Sequence, residues 1–187
     1  MAFELPLGGG DIPHGDLEVG ALAAVLNAHL PPDDPVRAYA DRLALAPFAA
    51  TKLRGFLTGF VDLVVRVPDE AGGGFAVIDY KTNLLGGGAS APTAWDYRPD
   101  AVATAMDIAD YPLQALLYLV ALHRYLRWRV AGYEPDRDIR GVGYLFVRGM
   151  LGPTTPTWGG GVCGVWSWRP PQGLVPALSE CLDGAST

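Results

Sequence analysis

The sequence predicts an α/β fold in which helices flank a mixed central sheet of about five strands. Two short runs rich in Val, Ile and Phe, Phe60–Val67 and Phe75–Tyr80, are typical of strands, and they flank a Gly-rich connection, Pro68–Gly74. Apolar residues at helical spacing predict a long helix from Tyr111 to about Val130. The apolar run Arg140–Val147 then predicts a further, central strand.

The remaining elements are predicted as a scaffold around this sheet. In the first half we expect a strand at Met1–Leu7, a helix at Leu17–Leu30 and a strand at Lys52–Leu57. The apolar face of that first helix is expected to consist of Leu17, Ala21, Ala24, Val25 and Ala28. The second half is expected to contain a loop at Leu84–Arg98, helices at Pro99–Ile108 and Leu174–Leu182, a strand at Val165–Trp168, and an irregular Gly- and Pro-rich stretch at Arg148–Gly164.

Length and composition predict a single domain of 187 residues, with half of the residues apolar. No apolar run is long enough to span a membrane and no secretory leader is apparent, so we expect a cytoplasmic protein without a membrane partner. The formal net charge of −6 disfavours an autonomous, tight binder of nucleic acid and favours a place inside a larger assembly.

The two central strands each carry one carboxylate, Asp62 and Asp79, where a buried strand normally has an apolar residue. Lys81 follows Asp79 by two positions, so these two side chains share a face while Tyr80 points away. If the hairpin register places Asp62 beside Asp79, two carboxylates meet, and holding both ionised requires a cation. Mg²⁺ fits this need, with Mn²⁺ as the alternative. Such an ion activates water and polarises a phosphoryl oxygen, which is the chemistry of phosphodiester hydrolysis, and Lys81 would orient the water or offset developing charge.

Structural explanations compete with this interpretation. An Asp at a strand end is usually a turn residue, and an exposed Asp–Lys ion pair contributes little to the stability of the fold. On the long helix, Tyr111, Gln114 and Tyr118 lie at i, i+3 and i+7 on one stripe. From their spacing alone, hydrogen bonding at the edge of the core is as good an explanation as a role at the site.

Four segments occur together in this chain: GFLTGFVDLVV, VIDYKTN, YPLQALLYLVALHRYLRWRVAGY and GVGYLFVRGM. In this combination they resemble the C-terminal nuclease domain of RecB, the large subunit of the bacterial RecBCD helicase–nuclease. That domain belongs to the PD-(D/E)XK nuclease superfamily, which implies a restriction-endonuclease-like core. The resemblance runs nearly the full length and is densest between Gly55 and Met150.

The resemblance implies a role for each matching residue. Asp62 and Asp79 match the metal-binding aspartates, Lys81 the catalytic lysine, and the main-chain carbonyl of Tyr80 a further metal ligand. The residues that match the support of the site and its contacts with DNA are Tyr111, Gln114, Tyr118, Thr82 and Asn83. The implied activity is Mg²⁺-dependent cleavage of DNA in double-strand break repair and recombination.

The sequence departs from the family pattern at its beginning. Family members carry a metal-binding histidine in a region before the first strand, and neither His14 nor His29 matches it, so we expect the chain to lack that part of the domain. Some members of the superfamily bind an iron–sulfur cluster through four cysteines. Cys163 and Cys181 are too few for that cluster and are expected to be free thiols.

The implied partners are DNA, RecC-like and RecD-like subunits, and the helicase part of RecB. In the family this domain also contacts RecA, which the residues themselves do not show. The alternative hypothesis is a truncated or degenerate domain that serves as a non-catalytic protein-interaction module, which the acidic composition and the missing histidine region would suit. Because two carboxylates and a lysine are retained within apolar strands, we favour catalysis.

Overall fold

The computed structural model describes residues 1–6, 17–53, 55–68, 73–87 and 91–184. The expectations for His14 lie outside the described residues. In chain order the strands are β1 (Ala2–Pro6), β2 (Leu17–Glu18), β3 (Lys52–Leu53), β4 (Phe56–Phe60), β5 (Leu63–Val67), β6 (Gly74–Lys81), β7 (Ile139–Phe146), β8 (Thr157–Trp158), β9 (Gly161–Val162) and β10 (Val165–Trp168). The helices are α1 (Val19–His29), α2 (Arg37–Leu43), α3 (Pro99–Ile108), α4 (Tyr111–Arg129), α5 (Pro135–Asp138) and α6 (Leu174–Leu182).

The central sheet has four strands in the order β10–β7–β6–β5. Strands β6 and β7 are parallel, whereas β5 and β10 pair antiparallel with their neighbours. A parallel pair needs a long crossover, and here the crossover contains α3 and α4, with α4 packed on β6 and β7. The predicted mixed sheet flanked by helices is therefore confirmed, with four strands in the central sheet where about five were expected.

The predicted strand Phe60–Val67 is confirmed only from Leu63 to Val67, because Val61 and Asp62 interrupt it. Strand β4 pairs with β1, and the Val61 N–H continues that pairing by donating to the Met1 carbonyl at 2.8 Å. The chain then changes partners, and β5 pairs with β6. Asp62 consequently lies in the gap between two strands that belong to different sheets, immediately before β5.

The predicted strand Lys52–Leu57 is likewise interrupted, between β3 and β4. Gly55 in this gap has a φ of +92°, in the left-handed region that glycine tolerates and other residues avoid. The stretch Arg148–Gly164 is more regular than expected, since it contains the β8–β9 hairpin and a 3₁₀ turn at Gly152–Thr154.

The predicted apolar face of α1 is wrong for its three alanines, Ala21, Ala24 and Ala28, which are exposed, whereas Leu17 is buried and Val25 packs against the core. The buried residues of the helix are Leu22, Ala23 and Leu26. Leucine removes more apolar surface from water than alanine does, so the helix rotates to put its leucines inward. Both cysteines are free thiols, as expected.

Helix α4 forms the centre of the core and is buried on nearly all sides. It contacts α3, α6, β1, β6 and β7. Leu116, Leu119 and Val120 are at most 3% exposed. Asp110 occupies the N-cap position but makes no capping hydrogen bond, and its carboxylate instead pairs with Arg42 at 2.7 Å.

The basic residues near the end of α4 divide into two groups. His123 is buried and its Nδ1 lies 2.8 Å from the Tyr133 hydroxyl. Arg124 donates to the Ser179 carbonyl and pairs with Asp183, both at the end of α6. These two residues therefore hold elements of the fold together, while Arg127 and Arg129 are exposed.

No single helix in the described ranges is both long enough and apolar enough to cross a membrane. Helices α3 and α4 reach the required length and composition as a pair, and they are bent by 82° where they meet.

We predict that Leu119→Ala lowers the free energy of unfolding by about 2–5 kcal/mol, because a fully buried leucine leaves a cavity when truncated. Leu84→Ala is the matched control, since Leu84 is 64% exposed. Urea denaturation of both variants measures the difference. Equal midpoints for the two would contradict the placement of α4 in the core.

We also predict that His123 makes stability depend on pH. Burial, and then the charges of Arg127 and Arg124, lower the pKa of His123 to about 4. In the unfolded chain its pKa is about 6.5, so the unfolded state binds the extra proton between these values. The stability contributed by His123 is therefore present above pH about 6.5 and is lost as the pH falls toward about 4. In urea titrations at several pH values, His123→Gln should reduce the dependence of the free energy of unfolding on pH between about 6.5 and about 4. The same pH dependence in both proteins would show that His123 is not its source.

Candidate active site

Asp79 and Lys81 lie together near the end of β6, on one face of the strand. Both are buried, with 3% and 9% of their surface exposed, and the Lys81 Nζ is 2.7 Å from the Asp79 Oδ2. Tyr80 points away and is 48% exposed. Side chains alternate along a strand with a period of two, so Asp79 and Lys81 share a face, as the sequence predicts. This pair is buried, unlike the exposed ion pair that the structural explanation assumed.

Asp62 is beside this pair. Leu63 of β5 is opposite Ile78 of β6, and continuing the antiparallel register by one position brings Asp62 opposite Asp79. The Tyr80 N–H donates to the Asp62 Oδ2 at 3.0 Å, which holds the carboxylate at the end of β6. Asp62 is exposed to solvent whereas Asp79 is buried, so the two acids differ in environment.

Helix α4 supplies the next layer of contacts. The Lys81 Nζ donates to the Gln114 Oε1 at 2.8 Å, and the Gln114 Nε2 donates to the Tyr118 hydroxyl at 2.8 Å. The Tyr118 hydroxyl in turn donates to the Phe60 carbonyl at 2.8 Å. This series of hydrogen bonds begins at the Lys81 ammonium, which can only donate, and ends at the Phe60 carbonyl, which can only accept. The Gln114 amide must therefore turn its oxygen toward Lys81 and its nitrogen toward Tyr118.

Two tyrosine rings enclose the Lys81 ammonium. Its Nζ is 3.7 Å from the centre of the Tyr111 ring and 5.1 Å from the centre of the Tyr144 ring. The two rings are stacked with their centres 5.9 Å apart. Aromatic faces attract cations, most strongly where water is excluded, so the rings provide a second partner for the buried charge.

The loop after Lys81 is tied to the same cluster. The Tyr111 hydroxyl donates to the Asn83 Oδ1 at 3.1 Å, and the Tyr97 hydroxyl donates to the Asn83 carbonyl at 3.0 Å. The Thr82 side chain is exposed, and its carbonyl accepts a bond from the Arg148 Nε at 2.8 Å. Asn83 therefore borders the lysine cluster through Tyr111, while Thr82 faces solvent at the edge.

Burial and the neighbouring acids keep two of the tyrosines protonated. Burial, then the charges of Asp79 and Asp62, raise the pKa of Tyr118 to about 12. Burial and the same carboxylates also raise the pKa of Tyr144. Both phenols are consequently neutral hydrogen-bond donors at physiological pH, in agreement with the direction of the hydrogen-bond chain.

The donor set at this strand end suits a hydrated Mg²⁺ ion. In the part of the chain that the structure describes, no three or more His, Cys, Asp or Glu side chains converge as metal ligands. Mg²⁺, however, is usually held by one or two carboxylates and keeps several waters. Asp62 and Asp79 provide two carboxylates, and the exposure of Asp62 leaves room for those waters.

Tyr144 is the residue of this cluster that sequence reasoning missed. It is completely buried on β7, directly opposite Asp79 in the parallel register. Its hydroxyl donates to the Gln114 Oε1 at 3.2 Å. A hydroxyl within an otherwise apolar run was the available indication, but the pairing of β6 with β7 could not be read from residues that lie far apart in the chain.

No protein-family model matches this chain. Comparison with known proteins finds RecB subunits of RecBCD enzymes as relatives. The RecBCD enzyme subunit RecB of Mycobacterium tuberculosis H37Rv is 49% identical over 185 residues, which is 98% of this chain and 16% of that protein. The RecB subunit of Mycolicibacterium smegmatis is 49% identical over 98% of the chain. The Escherichia coli K12 RecB subunit is 38% identical over 74% of it.

The chain is a mixed α/β domain that holds a buried acid–lysine pair at the end of a strand. A polar stripe on the central helix supports this pair. Among mixed α/β domains of this kind, the chain belongs to the RecB family, as a RecB-derived domain. It spans about one sixth of the length of the mycobacterial relatives that it matches, 16% and 17% respectively.

We predict that Lys81→Met lowers the free energy of unfolding by about 3–5 kcal/mol, because it leaves the Asp79 carboxylate buried without its counter-charge. The double variant Asp79→Asn with Lys81→Met removes both charges and should recover much of this loss. Urea denaturation in the presence of a chelator tests the coupling. Additive effects of the two substitutions would show that the pair is not energetically linked.

Proposed function

We propose that the chain is the metal-dependent DNA nuclease domain of a RecB-like subunit, with a core of the PD-(D/E)XK type. The observation that carries this proposal is the buried Asp79–Lys81 pair with Asp62 beside it at the end of β6. Its context in a chain 49% identical to RecB subunits supports the same assignment. The reaction is hydrolysis of DNA phosphodiester bonds in recombination and repair.

Asp62, Asp79 and the Tyr80 carbonyl are the proposed ligands of Mg²⁺, with Mn²⁺ as a substitute. When bound, the ion supplies a water of lowered pKa and polarises a phosphoryl oxygen. The exposed Asp62 is reachable from solvent, whereas the buried Asp79 is held in place by Lys81. One ligand is therefore preorganised and the other is accessible to the arriving ion.

Lys81 is the proposed catalytic lysine. An ammonium group has three N–H donors. The Lys81 Nζ donates one to the Gln114 Oε1 and lies 2.7 Å from the Asp79 Oδ2 in an ion pair, although that oxygen has no hydrogen-bond partner among the described residues. The remaining donors serve the attacking water or a phosphate oxygen, where a fixed positive charge offsets the negative charge that develops during attack at phosphorus. The leaving group is the 3′ oxygen of the sugar. Gln114, Tyr118 and Tyr111 maintain the direction of the ammonium group.

The DNA is proposed to lie along the loop that leaves β6. The Thr82 side chain is exposed, and the Asn83 amide keeps its N–H donors free of the Tyr111 contact, which involves its oxygen. A hydroxyl and an amide of this kind suit contacts with the sugar–phosphate backbone. Tyr111, Gln114 and Tyr118 line the same side of the site.

The wider assembly is also part of the proposal. The relatives are subunits of RecBCD enzymes, and this chain spans about one sixth of the mycobacterial subunits (16%). We propose that it works with the helicase part of a RecB-like subunit and with RecC-like and RecD-like partners in the cytoplasm, and that it contacts RecA. With a net charge of −6 the domain attracts DNA poorly by itself, so a motor that delivers the strand would compensate.

A non-catalytic interaction module is the second candidate function. The net charge of −6 favours it, as does the limited ligand set of two carboxylates in the described residues. The two proposals differ in whether the site binds metal.

Calorimetry with Mg²⁺ and Mn²⁺ distinguishes them. We predict binding to the native chain and loss of binding in Asp79→Ala, because one of two carboxylate ligands is removed. Asp33→Ala, at an exposed position away from the site, is the control and should bind as the native chain does. Cleavage of labelled single-stranded DNA should be weak in the native chain and at least about 100-fold lower in Asp79→Ala.

Each outcome has a separate meaning. Unchanged cleavage by Asp79→Ala would overturn the assignment of the site. Failure of the native chain to bind either metal would favour the interaction module. Robust cleavage by this chain alone would contradict the expected weakness and indicate that the two carboxylates suffice.

A further inference from the structure

We propose that Tyr144 is a positioning residue that directs the Lys81 ammonium through the Gln114 amide. Its consequence for catalysis rests on the proposed nuclease function, while the positioning itself is a property of the folded chain. Tyr144 lies on β7, a strand that contributes none of the residues assigned above to metal, DNA or catalysis.

Strand β7 runs parallel to β6, and Tyr144 is opposite Asp79. With no exposed surface, the side chain is confined to one arrangement by its neighbours, among them the Trp166 ring, which meets it edge to face with the ring centres 5.8 Å apart. A buried hydroxyl in such a place requires an acceptor. The Gln114 Oε1 is the nearer acceptor, at 3.2 Å, and the Tyr111 carbonyl lies at 3.5 Å.

The Gln114 carbonyl oxygen is therefore shared between two donors. It accepts from the Lys81 Nζ at 2.8 Å and from Tyr144 at 3.2 Å, while the amide nitrogen donates to Tyr118. A glutamine amide rotated by half a turn would present an N–H group to the ammonium, which can only donate. It would also leave the Tyr144 hydroxyl with only the longer bond to the Tyr111 carbonyl, at 3.5 Å, so Tyr144 adds to the preference for the observed amide.

The ring of Tyr144 acts on the same cation. It stacks with the Tyr111 ring and its centre lies 5.1 Å from the Lys81 Nζ, which is 3.7 Å from the centre of the Tyr111 ring. Hydroxyl and ring together restrict the ammonium to the side facing Asp79. Losing the hydroxyl leaves the Gln114 amide held by Lys81 and Tyr118 alone, so its position relative to the ammonium shifts, and losing the ring also loosens the packing of Tyr111.

The chain offers a clean spectroscopic test, because Lys52 and Lys81 are its only lysines. With lysine labelled by ¹³C at the ε carbon, two ε-methylene resonances are expected. The Lys52→Arg variant assigns them by leaving the resonance of Lys81. The Tyr111 and Tyr144 rings should shift the Lys81 protons away from the usual lysine position, and Lys52 serves as an internal reference.

Tyr144→Phe removes only the hydroxyl and should move the Lys81 resonance while leaving that of Lys52 unchanged. Tyr144→Leu removes the ring as well and should bring the Lys81 resonance closer to the usual position. The matched control is Tyr133→Phe, since the Tyr133 hydroxyl is bonded to His123 near the far end of α4. This control should leave both lysine resonances unchanged.

Kinetics provide the second readout. In Tyr144→Phe, kcat for single-stranded DNA should fall about 10-fold with KM unchanged, because a misdirected ammonium affects the reacting centre and not DNA binding. Tyr133→Phe should have the native kcat. A lysine resonance in Tyr144→Phe identical to the native one would overturn the inference, as would a kcat equal to that of Tyr133→Phe.

The two proposals fail in different ways. If the Asp79→Ala variant retains cleavage, the nuclease site is wrongly assigned, and the lysine resonances still decide the role of Tyr144. If Asp79→Ala is inactive but Tyr144→Phe leaves Lys81 undisturbed, the nuclease site stands and the positioning role is refuted.

Discussion

The buried ion pair between Asp79 and Lys81 is the interaction on which the rest of the site depends. Removing two charges from water is costly, and their mutual attraction compensates only when the geometry is good and the remaining hydrogen-bonding groups are satisfied. The surrounding residues meet that condition for the ammonium, whereas the Asp79 Oδ2 has no hydrogen-bond partner among the described residues and is stabilised by the ion pair with Lys81. Gln114 accepts from the ammonium, the rings of Tyr111 and Tyr144 face it, and the Phe60 carbonyl ends the hydrogen-bond chain through Tyr118. Four separate elements, β4, β6, β7 and α4, thereby converge on one charge pair.

The interruption between β4 and β5, at Val61 and Asp62, determines where the second acid of the site lies. A continuous strand would have placed Asp62 in the ladder on a fixed face, with its backbone fully paired. The switch from the β1 pairing to the β6 pairing instead leaves Asp62 at a strand boundary, exposed but anchored by the Tyr80 N–H. The site accordingly combines one acid held rigidly in the interior with one at the surface, an arrangement suited to receiving a hydrated ion from solvent.

Helix α4 connects this site to the remainder of the domain. Its first turns carry Tyr111, Gln114 and Tyr118, its middle is buried, and near its end Arg124 binds the last residues of α6. The position of the polar stripe is therefore determined by the packing of the whole helix. A RecB-derived domain whose site rests on such a helix is sensitive to core substitutions far from the acids, since a small shift of α4 moves the Gln114 amide relative to Lys81.

Local sequence patterns are enough to predict the α/β class, the β6 strand with Asp79 and Lys81 on one face, and the helical stripe of Tyr111, Gln114 and Tyr118. These features follow from local periodicity, which depends on neighbours a few residues apart. Long-range contacts, in contrast, bury Asp79 and Lys81, place Asp62 between two strands, and bring Tyr144 into the lysine cluster. Those features depend on which strands pair and on how α4 packs. Such contacts join residues distant in the chain, and no local pattern specifies them.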